Sequence, residues 1–188
     1  MFSTTDKIFL IVGRLSGGKT EACQFLQKEF NIHHVPCSRI LCEAVDCLSK
    51  EVTERKKLQQ LGYQYIKQND GHKIFAEKII QYMESHKSAQ YVLDGLRYPD
   101  TLFFIEQYFN TTVPIIYISN KTEDLYKRYK KKYKENITFE EFLELLEHPV
   151  ERVQERYFHV ANVIIDNDGN LENLFNQIRY LFSTATQE

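Results

Sequence analysis

Hydrophobic residues fall along this chain in two alternating patterns. Short continuous runs, Lys7 to Val12, Tyr91 to Leu93, Val113 to Ile118 and Val160 to Ile165, read as strands, and His34-Val35-Pro36 is a weaker candidate. Between them apolar residues recur at helical spacing. Ala22, Phe25, Leu26 and Phe30 mark a helix over 20–30, and 39–48 could be helical. Leu58, Leu61 and Tyr65 share one face, as do Ala76, Ile79, Ile80 and Met83, and Leu102, Ile105 and Phe109. Phe139, Phe142, Leu143 and Leu146 form a further stripe that Pro149 should end or kink, and Leu171, Leu174, Phe175, Ile178 and Phe182 make a last amphipathic helix. Strands apolar on both faces belong inside a parallel sheet covered by helices. The expected fold class is a three-layer α/β/α domain with a mostly parallel five-stranded sheet.

The length of 188 residues suits one domain over 1–188. Lys and Arg number 24 against 26 Asp and Glu, for a net charge of -2. A broadly coated nucleic-acid binder would be strongly basic, so any polyanion site must be local. No apolar run approaches the ~18 residues needed to cross a bilayer. The first residues, Met1 to Asp6, lack a basic region and a small-residue cleavage site, so no secretory signal is read there. A cytoplasmic location is expected. Cys23, Cys37, Cys42 and Cys47 show no Cys-x-x-Cys pair, and free thiols in a reducing compartment are expected. The sequence says nothing of oligomeric state.

Ligands of open α/β sheets bind at the carboxyl ends of the strands, which directs attention to the residues after each run. After the first come Gly13-Arg14-Leu15-Ser16-Gly17-Gly18-Lys19-Thr20, a complete G-x-x-x-x-G-K-[ST]. Glycines there let successive N–H groups turn toward an anion, and the following helix adds the positive end of its dipole. Lys19 can reach the β- and γ-phosphates of ATP, and the Thr20 hydroxyl can ligate Mg²⁺. After the second clear strand come Asp94-Gly95-Leu96-Arg97-Tyr98-Pro99. An acid at a strand tip beside a phosphate loop can hold Mg²⁺ through water or position a nucleophile, and Arg97 suits a forked contact with an acceptor phosphate. The alternative is a plain turn with a solvated arginine.

On these residues the chain resembles the P-loop nucleoside and nucleotide kinases. It is similar to the deoxynucleoside monophosphate kinase-like and dephospho-coenzyme A kinase-like branch, including kinase domains fused to some deoxycytidylate deaminases. Besides the P-loop, the resemblance rests on Cys37-Ser38-Arg39-Ile40-Leu41, on Arg55 to Gly62 with its Arg-x-x-Leu-Gln-x-x-Gly spacing, on Leu93 to Pro99, and on Val163-Ile164-Ile165-Asp166-Asn167-Asp168-Gly169. It implies a P-loop NTPase fold with a helical lid and insertion over about 121–159. It implies a nucleotide site in Gly13 to Thr20 with Asn167 and Gly169, and an acceptor site at Ser38, Arg39, Arg97 and Tyr98. Lys19, Asp94 and Arg128 would be catalytic, Thr20 and Asp94 would serve the metal, and ATP with Mg²⁺ would be the cofactors. Where the branch carries an Asp after the second strand, this chain has Ser38-Arg39, which makes Asp94 the better acid.

The densest charge run is Lys127-Arg128-Tyr129-Lys130-Lys131-Lys132-Tyr133-Lys134. Kinases of this kind place a mobile lid there, whose cations close over the transferring phosphoryl group. A solvated helical face and a nucleic-acid patch are the other readings. Arg152 and Arg156 could add a second clamp, or pair with Glu151 and Glu155 along one helix. The histidines carry no metal spacing. Expected function is therefore transfer of the γ-phosphoryl of ATP to a small nucleotide-type acceptor, with nucleic acid and membrane unexpected as partners. A dephospho-coenzyme A kinase-like enzyme, a regulatory NTPase without an acceptor and a polynucleotide 5′-hydroxyl kinase are the alternatives.

Overall fold

The computed structural model describes residues 7–45, 55–133 and 136–184. Five strands form one sheet, β1 (Ile8–Gly13), β2 (His33–Val35), β3 (Tyr91–Asp94), β4 (Ile115–Ser119) and β5 (Val163–Asp166), in the order β2-β3-β1-β4-β5. Every neighbouring pair is parallel, so the sheet is wholly rather than mostly so. β1 lies at the centre and is buried at all its positions. Its alternate residues feed opposite faces, as the period of two requires. Ile8, Leu10 and Val12 join a core with α2 (Cys37–Ala44), α4 (Gly71–Ser85), α5 (Pro99–Phe109) and α8 (Pro149–Val160), through Ile40, Phe75, Ile79, Ile105 and Tyr157. α3 (Arg55–Lys67) adds Ile66 to that layer. Phe9 and Ile11 join the other core with α1 (Lys19–Phe30) and α9 (Leu171–Thr184), through Ala22, Leu26, Leu174 and Ile178.

A third cluster stands at the carboxyl end of the sheet. Leu125 and Tyr129 of α6 (Thr122–Tyr133) pack on Phe142, Leu145 and Leu146 of α7 (Phe139–Glu147), and all of them close on Leu15. The Thr138 hydroxyl accepts from Glu141 N–H and the Glu141 carboxylate accepts from Thr138 N–H, a reciprocal cap that starts α7. Pro149 acts as the sequence foretold. α7 stops at Glu147, and Pro149 opens α8 at the position where a missing N–H costs nothing.

Two strand boundaries differ from the apolar runs. Val160 is the last residue of α8, and β5 begins only at Val163. Asn162 hooks Ile115 instead, its side-chain oxygen accepting from Ile115 N–H at 2.8 Å, and from there β4 and β5 pair. The cysteines also part from expectation. Cys23 and Cys37 are buried free thiols, whereas Cys42 is disulfide-bonded. Cys47, Lys134 and the end of the helix expected over 39–48 lie outside the described residues.

The close approach of β1 to β4 constrains Gly13. Its φ is +147°, and a Cβ there would lie 2.5 Å from the Ile118 carbonyl oxygen. Gly13→Ala should therefore lower stability by about 1–3 kcal/mol, seen as a reduced thermal midpoint. An unchanged midpoint would show that the sheet accommodates the methyl without cost.

Candidate active site

The loop after β1 curls back on itself before α1. Ser16 and Gly18 take positive φ, of 61° and 95°, and Gly17 N–H donates to the Arg14 carbonyl at 3.1 Å. Inside this turn the Lys19 ammonium donates to the carbonyls of Gly13 at 2.7 Å and Arg14 at 2.8 Å. A lysine bound by its own loop is preorganised beside the amides that an anion would meet.

β3 runs beside β1, and this brings Asp94 to the loop. Thr20, on the first turn of α1, donates its hydroxyl to Asp94 Oδ2 at 2.8 Å. His34, from β2 on the other flank, lies 3.0 Å from the same oxygen through Nε2. Burial pushes the Asp94 carboxyl up, but the hydrogen bond from His34, the nearby Lys19 charge and the Thr20 hydroxyl outweigh it and hold it below its ordinary value. The carboxylate is thus ionised, and His34 must carry its proton on Nε2. His34 has no spaced partner along the sequence. The only signal for it is the parallel register, with Val35 opposite Leu93, which no local spacing reveals.

Asp94→Asn should cut turnover by on the order of 10²-fold or more while ATP affinity changes little, since the carboxylate would act where charge develops. A raised KM for ATP alone would contradict that role. Because the folded carboxyl sits below its unfolded value, its stabilisation is present above the ordinary 3.8 and is lost as pH falls through the folded value. Asn should accordingly flatten the acid limb of the stability profile.

Arg97 stands three residues past Asp94, and its Nη2 lies 2.8 Å from Glu151 Oε1 of α8. The arginine side chain is 14% exposed and the glutamate 1%. Around Glu151 a polar network forms within the apolar layer. Gln59 Nε2 donates to its Oε1 at 2.9 Å, and Gln154 Nε2 donates to its Oε2 at 2.8 Å. Gln154 Oε1 in turn accepts from Gly13 N–H at 3.3 Å. Glu155 pairs with Arg14 at 2.6 Å. α8 therefore holds both the loop and Arg97.

Three clefts line the carboxyl end of the sheet and share walls. The middle one, about 160 Å³, lies among Ser16 to Glu21, Asp94, Arg97 and Lys132. On one side it shares Ser16, Gly18, Glu21 and Lys132 with a larger cleft of about 500 Å³, which Arg128, Gly169 and Leu171 complete. On the other side it shares Ser38, Gly95 and Arg97 with a narrow, mostly apolar cleft of about 30 Å³, walled by Leu41, Phe75, Leu96, Tyr98 and Val150. Asn167 braces the large cleft. Its amide donates to the Gly17 carbonyl at 3.0 Å, and its own carbonyl accepts from Arg128 at 2.7 Å and from Asn120 at 2.7 Å.

The same arrangement of layers recurs in solved structures over nearly the whole chain. The shikimate kinase of Acinetobacter baumannii, solved in complex with shikimate, is 16% identical, with a TM-score of 0.61 over 100% of this chain and 98% of that one. The chain shares the fold of this shikimate kinase. The shikimate kinase of Bacteroides thetaiotaomicron is 12% identical, with a TM-score of 0.56 over 94% and 98% of the two chains. TT1252 of Thermus thermophilus is 15% identical, with a TM-score of 0.56 over 96% and 98%. No protein-family model matches the chain, and no curated protein matches it in sequence.

Within this fold the residues singled out from sequence fall into distinct places. Ser16, Gly17, Gly18, Lys19, Thr20, Asp94, Arg97 and Ser38 meet in the middle cleft, and Tyr98 lines the apolar one. Leu15 edges the middle cleft but anchors the α6–α7 cluster. Arg14 faces α8, and Gly13 lends its N–H to Gln154. Arg128 lies with Asn167 and Gly169 in the large cleft, whereas Lys132 of the same helix borders the middle one. Arg39 points outward and pairs with Glu43 at 3.0 Å. Arg152 and Arg156 are exposed, and Glu151 and Glu155 turn to Arg97 and Arg14 instead of to them. Among the described residues no helix is long and apolar enough to cross a membrane.

Proposed function

We propose that the chain is an ATP-dependent phosphotransferase that moves the γ-phosphoryl group to a small nucleotide-type acceptor, a (deoxy)nucleoside monophosphate. The observation that carries this reading is the row of three adjoining clefts. Their order is that of a phosphoryl transfer: donor base, phosphates, acceptor. The large cleft would take the base of ATP against Arg128 and the Asn167–Gly169 loop. In the middle cleft the loop amides and Lys19 would hold the β- and γ-phosphates, leaving the γ-phosphorus facing the third cleft.

The residues also suit a divalent cation. Thr20 Oγ1 and Asp94 Oδ2 are hard oxygen donors 2.8 Å apart at the cleft wall, the donor type Mg²⁺ prefers. Bound there, Mg²⁺ would neutralise charge on the phosphate oxygens. The chain's own part is to fix the geometry. His34 holds Asp94 from behind, α8 holds Gly13 and Arg97, and Lys132 reaches over from α6. Of the lid and helical insertion expected over about 121–159, we read α6 and α7 as the lid, while α8 belongs to the core layer that covers the sheet. Arg97 would take the acceptor phosphate, and the apolar walls of the third cleft, narrow in this structure, would part to take a heterocyclic ring. Those walls suit shikimate, a hydroxylated acid bound by the Acinetobacter protein, less well. An acceptor-free NTPase leaves this cleft without a purpose.

A crystal grown with a non-hydrolysable ATP analogue and a mixture of nucleoside monophosphates tests the reading. It should show monophosphate density with its phosphate against Arg97. Density for the ATP analogue alone, with the third cleft filled by solvent, would contradict it.

A further inference from the structure

The apolar cleft contains one side chain whose hydrogen-bonding sense is fixed by its neighbours. Gln59 lines it and is 3% exposed. The orientation of its amide follows from a chain of donors and acceptors that begins at the phosphate loop. Gly13 N–H can only donate, so Gln154 must present Oε1 to it and turn Nε2 toward Glu151. Glu151 takes that N–H on Oε2 and the Arg97 guanidinium on Oε1, which requires an ionised carboxylate. A carboxylate can only accept, so Gln59 must direct Nε2 at Glu151, and it does so at 2.9 Å. Gln59 Oε1 is then left as a buried acceptor, and among the described residues it has no partner. The Tyr98 hydroxyl in the same cleft is also buried, and among the described residues it too has no partner. A phenol can donate or accept, so it imposes no sense, whereas Gln59 does.

We infer that Gln59 selects the acceptor by accepting a hydrogen bond from an N–H group on the edge of its heterocycle, with the Glu151 carboxylate locking Gln59 in that sense. The inference rests on the nucleotide reading above and adds to it the chemistry by which the ring is chosen. A buried acceptor left unmade is costly, so a ring that brings a donor gains what one lacking it forfeits. The Arg97 charge is already balanced by Glu151, so the ring pocket selects by hydrogen bonding and shape more than by charge.

The test uses pairs of monophosphates that differ only at the donor: cytosine against pyrimidin-2-one, adenine against unsubstituted purine, thymine against N3-methylthymine. For the base used best, removing the donor should lower kcat/KM by on the order of 10- to 100-fold. That comparison needs only the wild-type protein. In Gln59→Leu the ratio within the same pair should collapse toward one, because leucine neither gains from the donor nor misses it. A ratio near one in the wild type would overturn the inference and leave the kinase reading standing. A large ratio that survives in Gln59→Leu would overturn it as well, since the donor would be read elsewhere. If no monophosphate in the panel accepts a phosphoryl group, the nucleotide reading itself falls and takes this inference with it.

Discussion

Lys19→Ala should abolish most phosphoryl transfer, by on the order of 10²-fold or more in kcat, while the protein stays folded. The ammonium lies where charge on the transferring group would develop, and a preorganised cation in a partly dry cleft acts mainly there. Its contacts include the Gly13 and Arg14 carbonyls at the cleft wall, which water can reach once the side chain is gone. The stability loss should therefore stay near 1 kcal/mol. Turnover close to wild type in a protein with a native melting curve would remove the phosphate loop from the mechanism.

Arg97→Ala should show two separable losses. A forked guanidinium–phosphate contact is charge-assisted, and its removal should lower acceptor kcat/KM roughly 30- to 1,000-fold, equivalent to about 2–4 kcal/mol. ATP affinity should change little, because the loop and Lys19 hold that ligand. The second loss is in stability. Glu151 is 1% exposed, and removing its cation leaves a buried anion uncompensated, a change that costs about 3–5 kcal/mol. Adding Glu151→Gln to Arg97→Ala removes the stranded charge. The double variant should regain much of the thermal midpoint and none of the acceptor efficiency. Arg97→Lys should recover part of the activity, since an ammonium cannot make the forked contact. Recovery of activity together with stability in the double variant would mean that Arg97 only supports the fold.

The sheet was legible because its inner strands β1, β3 and β4 are buried on both faces, which writes near-continuous apolar runs into consecutive residues. The phosphate loop and Asp94 were legible for a related reason: each follows a strand directly, so local order and spatial place coincide. What escaped is what the chain assembles over long separations. Gln59 meets Glu151 across 92 positions, and Gly13 meets Gln154 across 141. The helical spacing of Glu151 and Glu155 with Arg152 and Arg156 suggested local pairs, but the buried face of α8 carries Glu151 inward to Arg97, and the half-exposed Glu155 meets Arg14 of the loop. His34 lacked any spaced partner in sequence and gains its role only because β2 pairs with β3. Arg39, by contrast, drew attention through a motif, and the turn of α2 carries it to the outer face.

The most direct test of phosphoryl transfer is the ratio of ATP consumed with an acceptor to ATP consumed without one. It should be measured across nucleoside and deoxynucleoside monophosphates, nucleosides and dephospho-coenzyme A, in the presence of Mg²⁺. A ratio well above ten for at least one monophosphate, matched mole for mole by the corresponding diphosphate, is expected. A ratio near one for every acceptor, with ATP hydrolysed to phosphate at the same rate throughout, would contradict the assignment of the third cleft and of Arg97 to an acceptor.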